Sequence, residues 1–527
     1  MPLHPLLING EWRQAQAAAD SFSASNPTTG EALAEVYPVS GWQDIEEMVA
    51  AGQEAAVALR QTSPETIAAF LERYAGAIEA RADQIAQAAH EETGLPLQPR
   101  LRNGEMSRTV DQLRQAAAAA RERSWSQATI DSEANIRSRF EALGGPVVVM
   151  GPNNFPLAFN AISGGDFAAA IAAGNPVIAK AHPGHPTTTR LLAEAACEAL
   201  QESDAPPAMV QLFYHIEPED GLRLVADDRV KATAFTGSRR AGMALKRAAE
   251  EAGNLIYLEM SSVNPVFILP GALAERGAEI AAAFYASCTM GTGQFCTNPG
   301  LVIVQKGARS EAFLDEAQRL FAQQENGVLL AEGGVAHLVE AVAALQDNGA
   351  ELLCGGQPAE GPGYRFQNTL LRASGEQFLA DAEGLQTEAF GPASVVVFAR
   401  DAEQMVQIAE ALEGNLTAGI YSASGEEDEA LYERLSPVLR EKVGRLLNDK
   451  MPTGVAVTAA MVHGGPYPAT GHPGFTAVGI PAALLRFAAR RSYDNVRHHR
   501  LPVELQNENP TGEMWRYVDG RWTQGDV

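Results

Sequence analysis

Cysteine is scarce in this chain. Four occur in 527 residues (Cys197, Cys288, Cys296 and Cys354), and no two stand in a C-x-x-C spacing. A zinc ribbon and a thioredoxin-type redox pair are therefore not expected, nor is a disulfide framework at this length. Positive charge is also short. Forty Lys and Arg face 65 Asp and Glu, for a net charge of −25 and a pI near 4.9. Nonspecific nucleic-acid binding needs a basic face and is excluded on that ground. A local cationic pocket for an anionic ligand is not. No run of roughly 18 apolar residues appears, so no membrane span is expected. The segment after Met1 lacks the basic and apolar regions of a secretory signal. A cytoplasmic protein is the resulting expectation. Neither G-x-S-x-G nor G-x-G-x-x-G occurs, so a serine nucleophile elbow is not expected.

What is present reads as an α/β protein. The chain is 46% hydrophobic and 20% charged, ordinary for a globular protein, and its length suits two or three domains. Short apolar runs at 146–150, 176–179, 209–213, 232–235, 255–258, 266–269, 301–304 and 395–398 read as buried strands. Helical stretches separate them, which implies parallel sheets covered on both faces. In the helix after 179, Leu191, Leu192, Ala195, Ala199 and Leu200 keep a helical period, with Thr187 to Thr189 as candidate N-caps. Residues 43–123 are rich in Ala, Glu and Arg and read as two or three long helices. Residues 126–143, with the alternating Ile136-Arg-Ser-Arg-Phe140, read as a hairpin. The basic segment 486–500 reads as a solvated face, with a subunit contact as the alternative.

Five polar positions carry chemistry. Cys296 lies in Gly291-Thr-Gly-Gln-Phe-Cys-Thr297, where a glycine-rich turn leaves N–H groups free to hold an oxyanion beside a thiol. A buried Cys in a glycine turn is more often inert. Phe235-Thr-Gly-Ser-Arg-Arg-Ala-Gly242 follows a strand and opens a helix. Ser238 suits an N-cap, Gly237 permits close approach of a ligand, and a phosphate fits a helix N-terminus. An ordinary capped turn explains the same residues. Glu259 ends the run 255–258, where a partly buried carboxylate can serve as general base or simply face solvent. Asn154 follows the run ending at Met150. It offers two uncharged N–H donors to an oxyanion, or is a turn asparagine. Lys180 ends its strand, within reach of a ribose or phosphate, or solvated.

Taken together and in order, these segments resemble the aldehyde dehydrogenase superfamily. The resemblance runs nearly the whole length: Ile8-Asn-Gly-Glu-Trp12, Asn26-Pro-Thr-Thr-Gly30, Glu92-Thr-Gly94, Asn154-Phe-Pro156, Lys180, Phe235-Thr-Gly-Ser238, Glu259, Gln294-Phe-Cys296 and Glu388-Ala-Phe-Gly-Pro392. It implies a Rossmann-type cofactor domain (1–125 and 145–258), a catalytic domain (259–465) and an oligomerisation element (126–144 and 480–500). It implies Cys296 as nucleophile, Glu259 as general base and Asn154 as oxyanion donor. The aldehyde would form a thiohemiacetal, lose hydride to a nicotinamide, and leave a thioester for water to hydrolyse. Lys180 and Glu388 would hold the riboses, Phe390 the nicotinamide, and Ser238 the pyrophosphate, with Phe235, Gly237 and Gly242 shaping that turn. No metal is implied. A homodimer or homotetramer acting on a small-molecule aldehyde is the expected assembly.

Two departures stand out. Asn153 occupies the position where the family usually has Trp, and Ser261-Ser262 replace its Gly-Gly. Relatives that prefer NAD carry a glutamate three residues after the ribose lysine. Here that residue is Pro183, so NADP is expected to be accepted and preferred, with Lys180 and His182 available to its 2′-phosphate. NAD stays possible. Ser262-Val-Asn-Pro-Val-Phe267, Met461-Val-His-Gly-Gly-Pro-Tyr-Pro-Ala-Thr470 and Phe475-Thr-Ala-Val-Gly479 resemble the branch of 2,5-dioxovalerate (α-ketoglutarate semialdehyde) and NADP-dependent fatty-aldehyde dehydrogenases. The first of these substrates is the expectation, the second the alternative.

Overall fold

The computed structural model describes residues 2–16 and 18–527. Two seven-stranded sheets dominate it. In the first, the strands Leu255–Glu259, Ala232–Thr236, Val147–Met150, Val177–Lys180 and Val210–Phe213 run parallel in that spatial order, and Leu6–Ile8 and Glu11–Arg13 add an antiparallel edge. The chain builds outward from Val147–Met150 to Val210–Phe213, then returns to place Ala232–Thr236 on the other side of Val147–Met150. That reversal is a topological switch point, where α/β sheets open a ligand crevice beyond their carboxyl ends.

The second sheet runs Glu351–Cys354, Thr369–Ser374, Ala393–Ala399, Leu301–Gln305, Val266–Ile268, Asn415–Tyr421 and Val443–Asn448, all parallel except the first. Its central strands are fully buried, as expected for a sheet covered on both faces. Asn415–Tyr421 was not expected as a strand. Its sequence NLTAGIY mixes polar and small residues, and it qualifies only because both of its neighbours bury it. All eight expected runs are strands, within about two residues at each end.

The segment 43–123 holds four α-helices rather than two or three: Trp42–Leu59, Pro64–Ala80, Ala82–Thr93 and Met106–Glu122, with a π-helical stretch at Leu97–Glu105. Ser63 caps the second, with Pro64 at its first turn, and Gly94 ends the third at φ 67°. These local stop signals outweigh the continuous helical composition. The expected threonine caps are also corrected. The helix starts at Pro186, and Thr187 and Thr188 lie in its first turn, where their N–H groups donate to the Glu92 carboxylate at 2.7 and 2.8 Å. Burial nevertheless raises Glu92 to about 7.

The hairpin at 126–143 is present as Thr129–Asp131 and Ile136–Ala142. It joins Ala488–Asp494 on one side and the C-terminal hairpin Arg516–Val518 and Arg521–Thr523 on the other in a five-stranded sheet. The basic segment is not uniformly solvated. Arg486 is buried in an ion pair with Asp166 at 2.8 Å, beneath the Phe475 and Phe487 rings, whereas Arg491, Arg497 and Arg500 are exposed. Among the described residues no helix is long and apolar enough to cross a membrane.

Candidate active site

A cavity of about 590 Å³ lies between the two sheets. From the first sheet it receives the residues just past the strand ends: Asn154 after Met150, His182 after Lys180, Gly237 and Ser238 after Thr236, and Glu259 at the end of its own strand. From the second come Cys296, Glu388 and Phe390. Lys180, Phe235 and Gly242 do not line it. A Cβ at Gly237 would come within 2.6 Å of the Phe235 ring, and one at Gly242 within 3.0 Å of the Met260 sulfur. Both glycines therefore serve packing of the turn itself. Ser238 caps the helix Arg239–Glu251 by accepting from the Ala241 N–H, leaving the helix N-terminus facing the cavity.

Cys296 is set by the turn after the helix Pro270–Thr289. Gly291, Thr292 and Gly293 have φ of 56°, 57° and 70°. A Cβ at Gly293 would lie 2.1 Å from the Gly391 carbonyl, so only glycine fits there. Asn264 fixes the loop from the other side, its Nδ2 donating to the carbonyls of Cys296 and Asn298 at 2.8 and 2.9 Å. Asn154 is buried and donates one N–H to the Gln294 carbonyl at 2.9 Å. Its second N–H has no protein acceptor among these bonds, and an oxyanion beside Cys296 can take it.

The residue the sequence reading passed over is His463. It lies in the segment Met461–Thr470 quoted above, but its place in the chain gave no sign that it would reach the cysteine. Its Nε2 stands 3.4 Å from Cys296 Sγ and 3.0 Å from Glu259 Oε1. Both His463 and Glu259 are 2% exposed. Thr476 holds His463 in place by accepting its backbone N–H, and the Phe159 ring packs against the imidazole. Burial and the Glu259 carboxylate push the Cys296 thiol well above its ordinary range, so the resting sulfur is protonated. Glu259 Oε2 is buried with no partner, and such an atom is costly unless it is used. One imidazole nitrogen makes both contacts, so His463 positions the two groups and does not carry a proton in series; the thiol proton can pass to the Glu259 carboxylate, within 4.8 Å, as the sulfur attacks a carbonyl. The three ligating atoms lie within 4.8 Å of one another and could also hold a metal ion.

The Ser261-Ser262 departure has a structural consequence. The Ser262 N–H donates to Glu388 Oε1 at 3.3 Å, and the Ser261 hydroxyl also bonds this carboxylate. Ser262 Oγ contacts Asn415 Oδ1 at 3.1 Å, which also accepts the N–H groups of Val263 and Asn264. The serines thus anchor both Glu388 and the loop behind Cys296. Burial raises Glu388 to about 7 and lowers Lys180 to about 8.

This fold and cavity belong to a known class. The chain matches the aldehyde dehydrogenase family over residues 12–460 and belongs to that family. It is 40% identical to alpha-ketoglutaric semialdehyde dehydrogenase 2 of Azospirillum brasilense and 35% identical to the alpha-ketoglutaric semialdehyde dehydrogenase of Acinetobacter baylyi, covering 98% of each chain in both cases. Among solved structures, lactaldehyde dehydrogenase from Escherichia coli superposes with a TM-score of 0.79 at 22% identity, over 94% of this chain and 99% of that one. An aldehyde dehydrogenase C mutant from Pseudomonas syringae, solved with NAD+ and octanal, gives 0.79 at 22% identity over 93% and 96%.

Proposed function

We propose that this protein oxidises an aldehyde bearing a distal carboxylate, foremost α-ketoglutarate semialdehyde (2,5-dioxopentanoate), to the carboxylate with NADP. The observation that carries the chemistry is the cluster of Cys296, Glu259 and His463, the first two of which line the crevice. As Cys296 Sγ bonds the carbonyl carbon, its proton passes to Glu259, whose carboxylate lies within 4.8 Å of the sulfur, and Asn154 with a backbone N–H stabilises the oxygen. The nicotinamide, when bound, supplies the hydride acceptor. The chain's residues then hold a thioester on Cys296. Glu259, once it has released the thiol proton to solvent, takes a proton from the attacking water, the new C–O bond forms, and the C–S bond breaks to release the thiolate.

The cofactor reading rests on the helix N-terminus behind Ser238 and on Glu388, which suit a pyrophosphate and a ribose. Preference for NADP is supported by a basic group at Lys180. His215, just beyond the strand Val210–Phe213 that pairs with Lys180, joins His182 there. Burial and the Lys180 charge hold His215 down to about 4, and burial and His185 hold His182 well below its ordinary range, so both rings are neutral donors. His182 accepts the Gly184 N–H on Nδ1 at 3.0 Å, which leaves its Nε2 proton to donate. Pro183 puts no carboxylate against a 2′-phosphate.

The substrate reading rests on similarity to the two semialdehyde dehydrogenases. The aromatic cluster of Phe155, Phe159 and Phe295, with ring centroids 5.2 Å apart in each contact, favours the second reading, a fatty aldehyde. Measuring kcat/KM for 2,5-dioxopentanoate, succinic semialdehyde, hexanal and decanal, each with NADP and NAD, decides between them. A lead of roughly tenfold for an aliphatic aldehyde reverses the substrate assignment, and the same lead for NAD reverses that of the cofactor. The exposed edge strand Ala488–Asp494 is the surface through which we propose the chain forms a homodimer or homotetramer. Light scattering that finds a monomer at micromolar concentration overturns this.

A further inference from the structure

A carboxylated substrate needs a cation on the side of Cys296 away from the nucleotide, and the Arg108 guanidinium, close to that side, is short of partners. Arg108, on the helix Met106–Glu122, stacks over the rings of Phe159 at 4.9 Å and Phe155 at 5.6 Å. Both rings line the cavity that holds Cys296. Phe155 packs edge-on to Phe295, the neighbour of Cys296, and Phe159 packs on His463. Arg108 is therefore one aromatic layer from the reacting atoms.

Its hydrogen bonding is incomplete in a specific way. Nη1 donates to the Val455 carbonyl at 3.1 Å. Nε and Nη2 are buried and have no partner. Those two nitrogens form one edge of the guanidinium, with parallel N–H bonds spaced to meet both oxygens of a carboxylate. Arg486 likewise has Nη1 and Nη2 without a hydrogen-bond partner, but its charge is met by the ion pair with Asp166 at 2.8 Å. Arg100 pairs with Glu105 at 2.9 Å and donates to the Asn154 carbonyl, and Arg445 and Arg516 donate to backbone carbonyls through both terminal nitrogens. Glu105, just before this helix, is committed to Arg100 and to the N–H groups of Leu157 and Ala158. Leaving two charged donors unpaired in a protein interior is costly, and a ligand anion removes the cost.

We propose that the Nε/Nη2 edge of Arg108 binds the carboxylate at the far end of the aldehyde substrate and sets the preference for carboxylated over aliphatic aldehydes. The assignment deepens the function proposed above and rests on it. Arg108 does not itself line the cavity, whereas Phe155 and Phe159 do, so binding requires one of these rings to turn aside.

The test compares Arg108→Met and Arg108→Lys with wild type, with NADP saturating. It follows the ratio of kcat/KM for 2,5-dioxopentanoate to that for hexanal. A second reading needs no turnover: protection of Cys296 from iodoacetamide by glutarate, a non-reacting dicarboxylate. The ratio should fall by about a hundredfold in Arg108→Met, as expected for losing a buried charge-assisted pair. Arg108→Lys should recover part of it, through KM rather than kcat, because a point charge lacks the fork. Glutarate should protect wild type and fail to protect Arg108→Met. A ratio within about threefold of wild type, with protection retained, overturns the assignment. If Arg108→Met does not fold, the Lys variant decides by the same two readings. Wild type preferring hexanal would defeat the functional proposal alone, since the change in ratio and the loss of protection are read whichever substrate leads.

Discussion

The two large sheets face the same cavity with opposite ends. The first presents its carboxyl ends: Asn154, His182, Ser238 and Glu259 lie at or just past the last residues of their strands. The second presents its amino ends. Ser262, Cys296, Glu388 and Glu413 come just before the strands that begin at Val266, Leu301, Ala393 and Asn415. The difference separates two jobs. Carboxyl ends at a switch point open onto helix N-termini and a crevice, which suits a phosphate-bearing ligand. Loops that enter a buried parallel sheet are pinned at once by the ladder behind them, which suits a nucleophile that must not move. Asn154 donating to Gln294, and His463 Nε2 meeting both Cys296 and Glu259, are among the bonds that join the halves.

Breaking the comparison at its centre has the largest effect. Cys296→Ala should lose about four orders of magnitude or more in kcat, as removal of a nucleophile does. Nucleotide affinity measured by fluorescence titration should stay near wild type, because the carboxyl-end half is untouched. A parallel loss of nucleotide binding would mean that the halves are not separable. Next, Asn154→Ala cuts a bond between the halves and removes an oxyanion donor. A fall in kcat of about a hundredfold or more is expected, against a small change in nucleotide affinity.

His463 belongs to neither sheet and sharpens the comparison. His463→Gln keeps a polar side chain but loses the single nitrogen that meets both Cys296 and Glu259, so kcat should drop by about ten- to a hundredfold. Iodoacetamide alkylation of Cys296 should slow at neutral pH and recover as the pH rises, since the thiol, held high by burial and by Glu259, must then ionise unaided. An unchanged alkylation profile would remove His463 from the activation of Cys296.

The smallest effect is a pH window for the cofactor. Burial raises Glu388 to about 7 and lowers Lys180 to about 8. As pH falls through about 7, Glu388 takes a proton and loses acceptor strength toward a ribose. As pH rises through about 8, Lys180 loses its charge. KM for NADP should therefore be lowest between these values and climb several-fold on either side. Lys180→Met should flatten the alkaline limb alone, and a flat profile in the wild type would separate these groups from nucleotide binding.

Local sequence was sufficient for the elements and for much of the site. Uninterrupted β-branched runs made strands such as Val147–Met150 legible, because a strand buried on both faces needs little from its neighbours to be apolar. Glycines at 291 and 293 marked the turn at Cys296, since only they fit the backbone there. Asn415–Tyr421 and the true start of the helix at Pro186 were not legible. The strand qualifies through burial by its neighbours, and the helix is capped by Glu92, which stands 95 residues from Thr187. The same holds for function. The thiol, the carboxylate and the asparagine could be picked out one by one from their motifs. Only the packing of distant segments, 167 residues apart for Cys296 and His463, decided that one imidazole nitrogen would meet both the thiol and the carboxylate and that Arg108 would keep two donors unpaired. Hydrogen bonds act over about 3 Å, and a one-dimensional pattern does not carry which side chains the closed fold brings within that range.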